Sequence, residues 1–307
     1  MARILSGRPV AEPLVKNAIE KTEALNKLGI TPTLAVVRVG ERQDDIAYEN
    51  SILRQAADVG IVVIRYQYPK DITQEELIKR IEDLNQDTDI HGVLIFRPLP
   101  PHIDDRMICN ALAPEKDVDG ITPGSVAGVF MNVKMGFPPC TAESCMQILD
   151  YYGIDCSYKK LTVIGRSLVI GKPASMMALN KNATVTTCHS KTDKDDFRKA
   201  GQEADIVIVA IGKPKFIGPD DVGENQIILD VGVNVDEDGN LCGDVDFDKV
   251  EPKAAMITPP RGGVGSVTTA VLMKHVVRAT EIYCHEIGLL DEVIPFVSLM
   301  RLGDEQK

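Results

Sequence analysis

The sequence predicts an α/β protein made of two lobes with parallel sheets. The chain has 307 residues, which is long for a single hydrophobic core and comfortable for two. Short apolar runs alternate with amphipathic stretches almost throughout, and this alternation is typical of parallel sheets covered by helices. The alternation breaks between residues 113 and 139, where Gly, Pro and Asp interrupt the pattern. We therefore expect two α/β lobes with a cleft between them.

Seven apolar runs of strand length lie between the amphipathic stretches. Runs of this length that end at glycine, proline or polar residues are typical of buried strands. The Asp-Gly pair within residues 236 to 240 has the turn chemistry of a β-hairpin. The predicted strands cover residues 33–39, 61–68, 92–99, 161–165, 183–189, 205–212 and 227–233.

Eight amphipathic stretches predict the helices. Thr73 and Glu76 have the spacing of a capping box, which marks a helix start. The segment 113–139 is expected to be a loop, and the sequence does not place the residues after about Leu290. The predicted helices cover residues 10–28, 45–59, 73–87, 104–112, 142–152, 172–181, 194–203 and 266–287.

Composition and charge argue against several classes of binding partner. A formal net charge of -11 would repel a phosphate backbone, so nucleic acid is not an expected partner. The cysteines are odd in number and scattered, and they form no CxxC or Cys/His cluster, which argues against disulfides and structural zinc. No apolar run has the length and composition of a signal peptide or of a membrane span. A cytoplasmic protein without metal or membrane partner is the expectation.

The stretch 159–173 indicates a dinucleotide site. It has the pattern strand, glycine turn, helix, with Gly165 at the strand end, Gly171 at the helix start and Ser167 between them. Backbone amides and a helix N-terminus would there face a pyrophosphate. The spacing departs from G-x-G-x-x-G, and two glycines can also serve tight turning alone. The stretch is therefore compatible with a dinucleotide site and with a tight turn that binds no ligand.

The end of the next strand bears on the choice of nucleotide. An acidic residue about 20 positions after the glycines would bind the ribose hydroxyls of NAD. Ser190 and Lys191 stand at that place, and together with Arg166 they favour NADP, while NAD stays possible. The alternative is that these side chains are solvated surface groups.

Nine short motifs in this order resemble one known family, that of methylenetetrahydrofolate dehydrogenase/cyclohydrolase. The resemblance extends from the N-terminal helix to about residue 287. Each motif is short, but their order and spacing together are specific. They are VG at 39–40 followed by Tyr48, PLPPHID at 98–104, PEKDVDG at 114–120, PPCTAES at 138–144, VIGRSLVIGKP at 163–173, VTTCHSKT at 185–192, AIGKP at 210–214, DVGVN at 230–234 and TPPRGGVGSVT at 258–268.

The resemblance implies a domain organisation and an assembly. Residues 1–140, completed by the helix 266–287, would form a folate-facing catalytic domain. Residues 141–265 would form a Rossmann-type NAD(P)-binding domain. A homodimer is also implied.

The resemblance also implies roles for individual residues. Asp119, the second acid of DVDG, would bind the amino-pyrimidine edge of the pterin, because a carboxylate can accept two N–H bonds. Tyr48 would stack on the folate or orient it. The folate would further meet Pro260, Gly262 and Gly263. The nucleotide would be held by Gly165, Arg166, Ser167, Gly171, Ser190 and Lys191, with the backbone around Val233 close by. Without the resemblance, Asp117 and Asp119 would be interpreted as turn residues.

Two departures from the family pattern concern proton transfer. The family has Y-x-x-x-K, and here the Lys position is Ile52. The family also has V-Q-L-P-L, and here the Gln position is Phe96 and the following Leu position is Arg97. At both positions where the family has a polar side chain for proton transfer, this chain therefore has an apolar one.

These departures favour one half-reaction over the other. Hydride transfer from the folate to the nicotinamide removes no proton, so geometry and electrostatics can suffice. Hydrolysis of the methenyl product needs a placed acid or base, which Ile52 and Phe96 cannot supply. Arg54 and Arg97 make poor bases, and Glu49 lies about 100° around the helix from Tyr48. A dehydrogenase without cyclohydrolase activity is the resulting hypothesis.

Other functions remain open on the sequence. A different acid or base could preserve both activities, so that the protein would be bifunctional. A remodelled site could also bind folate or a nucleotide without turnover. The pterin could be a different or modified one.

Overall fold

The computed structural model describes residues 2–290, and within them the chain forms two compact units. The first unit contains Leu14–Cys140 and the described residues from Thr269 onward. The second contains the described residues up to Pro13 and Thr141–Thr268. The segment after Leu290, which the sequence did not place, lies outside the described residues.

The first unit has a sheet of three parallel strands in the order β3-β2-β4. Strand β2 (Thr33–Val39) lies between β3 (Val62–Tyr68) and β4 (Gly92–Ile95), with Val37 opposite both Tyr66 and Ile95. Every residue of β2 is buried, as expected for a central strand of a parallel sheet. The helices before and between these strands are α1 (Arg8–Lys27), α2 (Gln43–Val59) and α3 (Gln74–Gln86), and α4 (Asp105–Ala111) and α5 (Pro123–Met131) follow them.

The second unit has a six-stranded parallel sheet in the order β1-β11-β8-β7-β5-β6. Strand β5 (Lys160–Ile164) has β6 (Thr184–Cys188) on one side and β7 (Ile206–Val209) on the other. The chain therefore reverses its direction of winding at β5, and ligands of such sheets bind at the carboxyl ends of the strands flanking this point. The other strands are β8 (Ile227–Asp230), β11 (Met256–Ile257) and β1 (Arg3–Ile4).

The remaining elements connect these strands or follow them. Strands β9 (Asn234–Val235) and β10 (Leu241–Cys242) form the hairpin predicted at residues 236–240, with the Asp236 amide 2.9 Å from the Asn240 carbonyl oxygen. Two short 3₁₀ helices cover Pro114–Lys116 and Glu251–Lys253. The remaining helices are α6 (Cys140–Tyr151), α7 (Gly171–Asn180), α8 (Lys194–Gln202), α9 (Phe247–Val250) and α10 (Val264–Glu286).

The division into units differs from the domain prediction at the N-terminus. Residues 2–13 belong to the second unit, although they were assigned to the domain 1–140. The reason is that Arg3 and Ile4 pair in parallel with Met256 and Ile257. Two residues are too short a strand to be recognised from sequence periodicity.

The segment 113–139, predicted as a loop, contains helix α5. Thr122 caps the helix by accepting a hydrogen bond from the Ser125 amide at 3.1 Å, and Pro123 occupies the first turn. Gly128 lowers the helix propensity of this segment, which hid the helix in the sequence. The structure requires this glycine, because a Cβ there would lie 2.3 Å from the Met135 carbonyl oxygen.

The strand predicted at 92–99 is shorter than expected and ends at Ile95. Pro98 has no amide hydrogen to continue the ladder, so the chain leaves the sheet at Phe96 and Arg97. These two side chains consequently follow the carboxyl end of β4, where a functional residue would be expected.

Membrane and metal features were sought in residues 2–290. None of the helices in this part of the chain has the length and apolar character of a membrane span. No group of three or more His, Cys, Asp or Glu residues there could hold a metal ion. The seven cysteines are buried, and no disulfide joins them in the described part.

Candidate active site

In the first unit, the loop that carries Asp117 and Asp119 is held by the first of these acids. Asp117 is fully buried, and its carboxylate accepts hydrogen bonds from the Ile121 amide at 2.9 Å and the Thr122 amide at 2.7 Å. The Ser125 hydroxyl donates a third bond at 2.6 Å. Asp117 therefore has the structural role of a turn residue, and Asp119 does not share these bonds.

Asp119 is a carboxyl group in a largely apolar environment with a few polar neighbours. Burial raises its pKa to about 6, and the Asp117 carboxylate adds to the increase. The Arg97 guanidinium, the Cys140 thiol and His275 favour the charged form and limit the pKa increase. The side chain keeps part of its surface exposed. Asp119 can therefore accept hydrogen bonds from a ligand and change its charge near neutral pH.

The backbone beside Asp119 is fixed from helix α10. The His275 ring nitrogen Nδ1 lies 2.8 Å from the Val118 carbonyl oxygen, and the Cys140 Sγ lies 3.2 Å from the same oxygen. Gly120 has a φ of +70°, and a Cβ there would lie 2.4 Å from the Pro139 nitrogen. The sequence analysis did not identify His275, because a histidine within an apolar helix pattern gives no functional signal by itself.

Tyr48 on helix α2 belongs to the same group of residues. Its ring packs edge-on against Phe96, with centroids 5.8 Å apart and an interplanar angle of 78°. An interaction with the Thr269 side chain favours its ionised form, but by less than burial disfavours that form. Burial raises the Tyr48 pKa above its ordinary value, and the charges of Asp119 and Cys140 raise it further. Tyr48 is therefore a neutral phenol over the whole physiological pH range.

The two positions that the sequence analysis interpreted as departures from the family pattern are apolar and buried. Ile52, one helical turn after Tyr48, is fully buried, and Phe96 is 7% exposed. We call Tyr48, Ile52, Phe96, Asp119, Cys140 and His275 the Tyr48 cluster. Neither Ile52 nor Phe96 can donate or accept a proton.

Glu49, the acid next to Tyr48, is bound to the strands behind helix α2. Its Oε2 lies 2.8 Å from the Nε of Arg38, and both side chains are buried. Its Oε1 lies 3.4 Å from the Gln67 amide nitrogen and 4.0 Å from the Nε of Arg65. Glu49 is thus part of a structural ion pair with Arg38.

Replacing Glu49 by Gln is expected to destabilise the protein by about 3 kcal/mol, because the Arg38 guanidinium would remain buried without its counter-charge. Urea unfolding followed by circular dichroism measures this loss. Glu75→Gln, at an exposed position of helix α3, is the matched control and should change the stability by less than about 0.5 kcal/mol. An equally small loss for Glu49→Gln would show that the pair contributes nothing.

The two arginines considered from the sequence lie in different surroundings. Arg54 is exposed on helix α2. Arg97 is largely buried, and its Nη1 lies 2.8 Å from Asp105 Oδ2 and 3.7 Å from the Cys109 sulfur. Of these two arginines, Arg97 is the one whose charge lowers the Asp119 pKa.

In the second unit, the two glycines of the predicted dinucleotide motif lie at points of close backbone approach. Gly165 follows β5 with a φ of +131°, and a Cβ there would lie 2.2 Å from the Ala210 carbonyl oxygen after β7. A Cβ on Gly171, the first residue of α7, would lie 2.3 Å from the Gly165 carbonyl oxygen. Both glycines thus hold the turn tightly at the point where the sheet reverses its winding.

The other predicted nucleotide residues follow the same ends of β5, β6 and β8. Ser167 accepts a hydrogen bond from the Ile170 amide at 3.1 Å and so shapes the turn before helix α7. The Lys191 amide lies 3.1 Å from the His189 ring nitrogen. Arg166, Ser190 and Lys191 are exposed, and Val233 is 68% exposed. The structure therefore brings together the strand ends that carry these residues.

Two buried carboxylates that the sequence analysis missed organise the loops after β7 and β8. Asp244 accepts hydrogen bonds from the amides of residues 211, 212 and 213 at 2.7, 3.0 and 2.8 Å, and from the Asn234 side chain at 2.9 Å. Asp230 accepts from the amides of residues 232, 244 and 245, each at 3.0 Å. Burial raises the Asp230 pKa to about 6. For Asp230, its position directly after a continuous apolar run was the available signal, whereas Asp244 follows no such run.

The remaining predicted residues lie in the loop between β11 and α10. Gly262 has a φ of +74°, and its carbonyl oxygen accepts a hydrogen bond from the Gly7 amide at 2.7 Å. A Cβ on Gly263 would lie 2.5 Å from the Pro259 carbonyl oxygen. Pro260 is partly exposed beside them. These residues belong to the second unit, whereas Tyr48 and Asp119 belong to the first.

Fold and residues together define a class: a two-unit α/β protein with a Rossmann-like parallel sheet in one unit and an acid–aromatic cluster in the other. Residues 5–119 match the family described as tetrahydrofolate dehydrogenase/cyclohydrolase, catalytic domain. Residues 139–284 match the NAD(P)-binding domain of the same description. The chain belongs to the tetrahydrofolate dehydrogenase/cyclohydrolase family.

Individual relatives agree with this assignment. A bifunctional protein FolD from Clostridioides difficile is 46% identical over 280 residues, covering 91% of this chain and 97% of its own. A bifunctional FolD from Campylobacter jejuni has a crystal structure with a TM-score of 0.89 and 37% identity, covering 92% and 99%. A FolD from Trypanosoma brucei, solved with NADP cofactor and inhibitor, has a TM-score of 0.86 and 32% identity, covering 91% and 97%.

Proposed function

We propose that the protein is an NADP-dependent methylenetetrahydrofolate dehydrogenase whose cyclohydrolase activity is lost. The reaction is hydride transfer from methylenetetrahydrofolate to NADP, which gives methenyltetrahydrofolate. The observation that carries the proposal is the Tyr48 cluster, where a carboxyl group and a phenol stand beside two buried apolar side chains. Membership in the family supports the dehydrogenase part.

The residues of the second unit fit NADP. The glycine turn leaves no room for a Cβ at Gly165 or Gly171, and helix α7 begins directly after it, which is the arrangement that accepts a pyrophosphate. Exposed cations and hydroxyls at the ends of β5 and β6 suit an additional phosphate on the ribose. When bound, the nicotinamide would accept the hydride. The residues proposed to hold the nucleotide are Gly165, Arg166, Ser167, Gly171, Ser190, Lys191 and the backbone at Val233.

The chain's own contribution to hydride transfer is orientation and electrostatics. The Asp119 carboxylate would accept N–H bonds from the amino-pyrimidine edge of the pterin. Tyr48, a neutral phenol, would stack on the folate or orient it. Ile52 puts no cation beside the carbon that gains positive charge. An ammonium about 4 Å away would oppose that charge by about 4 kcal/mol at an effective dielectric of about 20.

The cyclohydrolase step needs a group that activates water. Such a group contributes about 10²- to 10⁴-fold, and neither Ile52 nor Phe96 can act in this way. Glu49 is held by the Arg38 ion pair, and a guanidinium such as that of Arg97 is not deprotonated. The methenyl product is therefore expected to leave the protein without hydrolysis.

One absorbance experiment tests the proposal. Purified protein is mixed with methylenetetrahydrofolate and NADP, and reduced nicotinamide and the methenyl product are followed together. Both should accumulate, and the methenyl product should then decay at the rate measured without protein. Faster decay would establish the bifunctional alternative, in which the raised pKa of Asp119 makes that carboxyl the candidate acid or base. Ligand binding without reduction of the nicotinamide would establish a non-catalytic protein.

Replacing Lys191 by Glu is expected to lower the preference for NADP over NAD by about 10- to 100-fold, because a carboxylate repels the additional phosphate and binds ribose hydroxyls. The ratio of kcat/KM for the two nucleotides measures the effect. Lys194→Glu, an equally exposed change in the first turn of helix α8, is the control and should leave the ratio unchanged. An unchanged ratio in Lys191→Glu would remove this residue from the nucleotide site.

A homodimer, on the family resemblance, and a cytoplasmic location, on the scattered unpaired cysteines, complete the proposal. Light scattering coupled to size exclusion measures the mass of the assembly against the 33.5 kDa of one chain.

A further inference from the structure

Arg97 is a charged residue that directly follows Phe96 of the Tyr48 cluster, and the proposed hydride transfer does not use it. It stands two positions after the end of β4 and follows Phe96, whose ring packs on Tyr48. Its side chain is 21% exposed, and the family pattern described above has Leu at this position. A largely buried guanidinium in place of a leucine needs a partner, because unpaired buried charge is costly.

The pairing of Arg97 with protein groups is incomplete. Among the described residues, only the Nη1 atom of Arg97 has hydrogen-bond partners, which are Asp105 Oδ2 at 2.8 Å and Cys109 Sγ at 3.7 Å. The second oxygen of Asp105, Oδ1, is buried without a hydrogen-bond partner among the described residues, so the pair is not a bidentate fork. A guanidinium has five N–H donors in a fixed plane, and no described residue accepts from Nε or Nη2. Donors therefore remain for a ligand.

Arg97 and Asp119 together present a donor and an acceptor. Asp117 uses both carboxylate oxygens within its own loop, so Asp119 is the acid of this loop that can take a ligand. Asp117 forms a parallel β-bridge with Val93 of β4, so Asp119, two residues further on, lies beside the carboxyl end of β4, which Arg97 follows by two residues. The Arg97 charge also lowers the Asp119 pKa. A planar ligand edge with N–H donors next to a carbonyl oxygen complements such a pair.

We propose that Arg97 is a specificity-determining residue that donates a hydrogen bond to the C4 carbonyl oxygen of the pterin, while Asp119 accepts from the neighbouring N–H groups. This inference rests on the proposed function, since it takes the folate as the ligand of the Tyr48 cluster. It assigns to Arg97 a binding role and no proton transfer. The 4-oxo group is then the feature by which the protein selects its substrate.

A pair of ligands that differ at C4 tests this role. Tetrahydrofolate carries the carbonyl, and its 4-amino counterpart carries N–H donors that would face the Arg97 donors. Isothermal titration of the wild-type protein should give an affinity for tetrahydrofolate at least about tenfold higher than for the 4-amino compound. The 4-amino compound also lacks the N3–H from which Asp119 would accept, so Arg97→Leu should lower this ratio by about five- to tenfold without abolishing it. Arg97→Lys should lower the ratio less.

Two further variants separate recognition from folding. Arg106→Leu, an exposed arginine in the first turn of α4, should keep the wild-type ratio. Asp105→Asn removes the charge that holds Arg97 but leaves the guanidinium, so the ratio should persist even if both affinities fall. A structural role alone would lower both affinities equally and leave the ratio unchanged in Arg97→Leu.

The outcomes distinguish this inference from the proposed function. An unchanged ratio in Arg97→Leu, or a wild-type protein that binds both compounds equally or neither, overturns the role of Arg97. A ratio that falls in Arg97→Leu, in a protein that never reduces NADP, keeps the role of Arg97 and overturns the dehydrogenase proposal. Reduction of NADP without discrimination keeps the dehydrogenase and overturns the role of Arg97.

Discussion

Replacing Asp119 by Asn is expected to lower kcat/KM for methylenetetrahydrofolate by about 10²- to 10³-fold. The carboxylate would accept two N–H bonds from the pterin, and a carboxamide can accept with only one oxygen while its own N–H₂ group opposes the second donor. Charge-assisted hydrogen bonds contribute about 1.5–3 kcal/mol each, which gives the expected size. Steady-state kinetics with varied folate and saturating NADP measures it.

The same variant should change the pH dependence. Because burial raises the Asp119 pKa to about 6, the wild-type kcat/KM should rise as the pH increases through about 6 and then level off. Asp119→Asn should lack this inflection. Asp58→Asn, at an exposed position of helix α2, should keep both the rate and the inflection. An inflection that persists in Asp119→Asn would assign it to another group.

The stability of Asp119→Asn should move in the opposite direction to its activity. A carboxyl whose pKa is higher in the folded than in the unfolded protein binds its proton more tightly when folded, so ionising it above pH 6 destabilises the fold. The shift from 3.8 to about 6 corresponds to at most about 3 kcal/mol, less because Asp119 keeps some exposure. The variant should therefore be more stable than wild type at pH 7.5, and the difference should vanish below about pH 4.

Replacing Ile52 by Lys together with Phe96 by Gln is expected to raise methenyltetrahydrofolate hydrolysis at least about 10²-fold above the uncatalysed rate. The two changes restore the polar groups of the family pattern, one helical turn from Tyr48 and at the end of β4. The absorbance of methenyltetrahydrofolate, followed over time at fixed pH, measures the gain in hydrolysis rate. The dehydrogenase rate should fall, because the ammonium opposes the growing positive charge.

The structure predicts a cost in stability for the single change Ile52→Lys. Ile52 is fully buried, so the ammonium must be desolvated, and a loss of about 3 kcal/mol or more is expected. Ile52→Met keeps the volume and the apolar character and serves as the control, with a loss below about 1.5 kcal/mol and no hydrolysis. A folded double variant without hydrolysis would show that the specialisation involves more than these two positions.

The sequence by itself determined the α/β class and most of the elements. Apolar runs gave the central strands, and the prediction of residues 33–39 agrees with β2 at both ends. The helix start at Thr73 was confirmed, since the Thr73 side chain accepts a hydrogen bond from the Glu76 amide at 3.2 Å, which is the N-cap half of a capping box. Family motifs predicted the nucleotide and folate residues, and these assignments stay predictions. These features depend on local periodicity and local chemistry, which a sequence records directly.

The tertiary structure decided which buried polar groups meet. It bound Glu49 to Arg38 and separated the structural Asp117 from the ligand-facing role proposed for Asp119. It also left donors of Arg97 without partners among residues 2–290. It also brought His275 to Val118, 157 residues away in the chain. Periodicity predicts that a side chain is buried, but the partner that offsets its charge can come from any distant segment. Only the packed fold specifies that partner, because electrostatic interactions depend on distance in space.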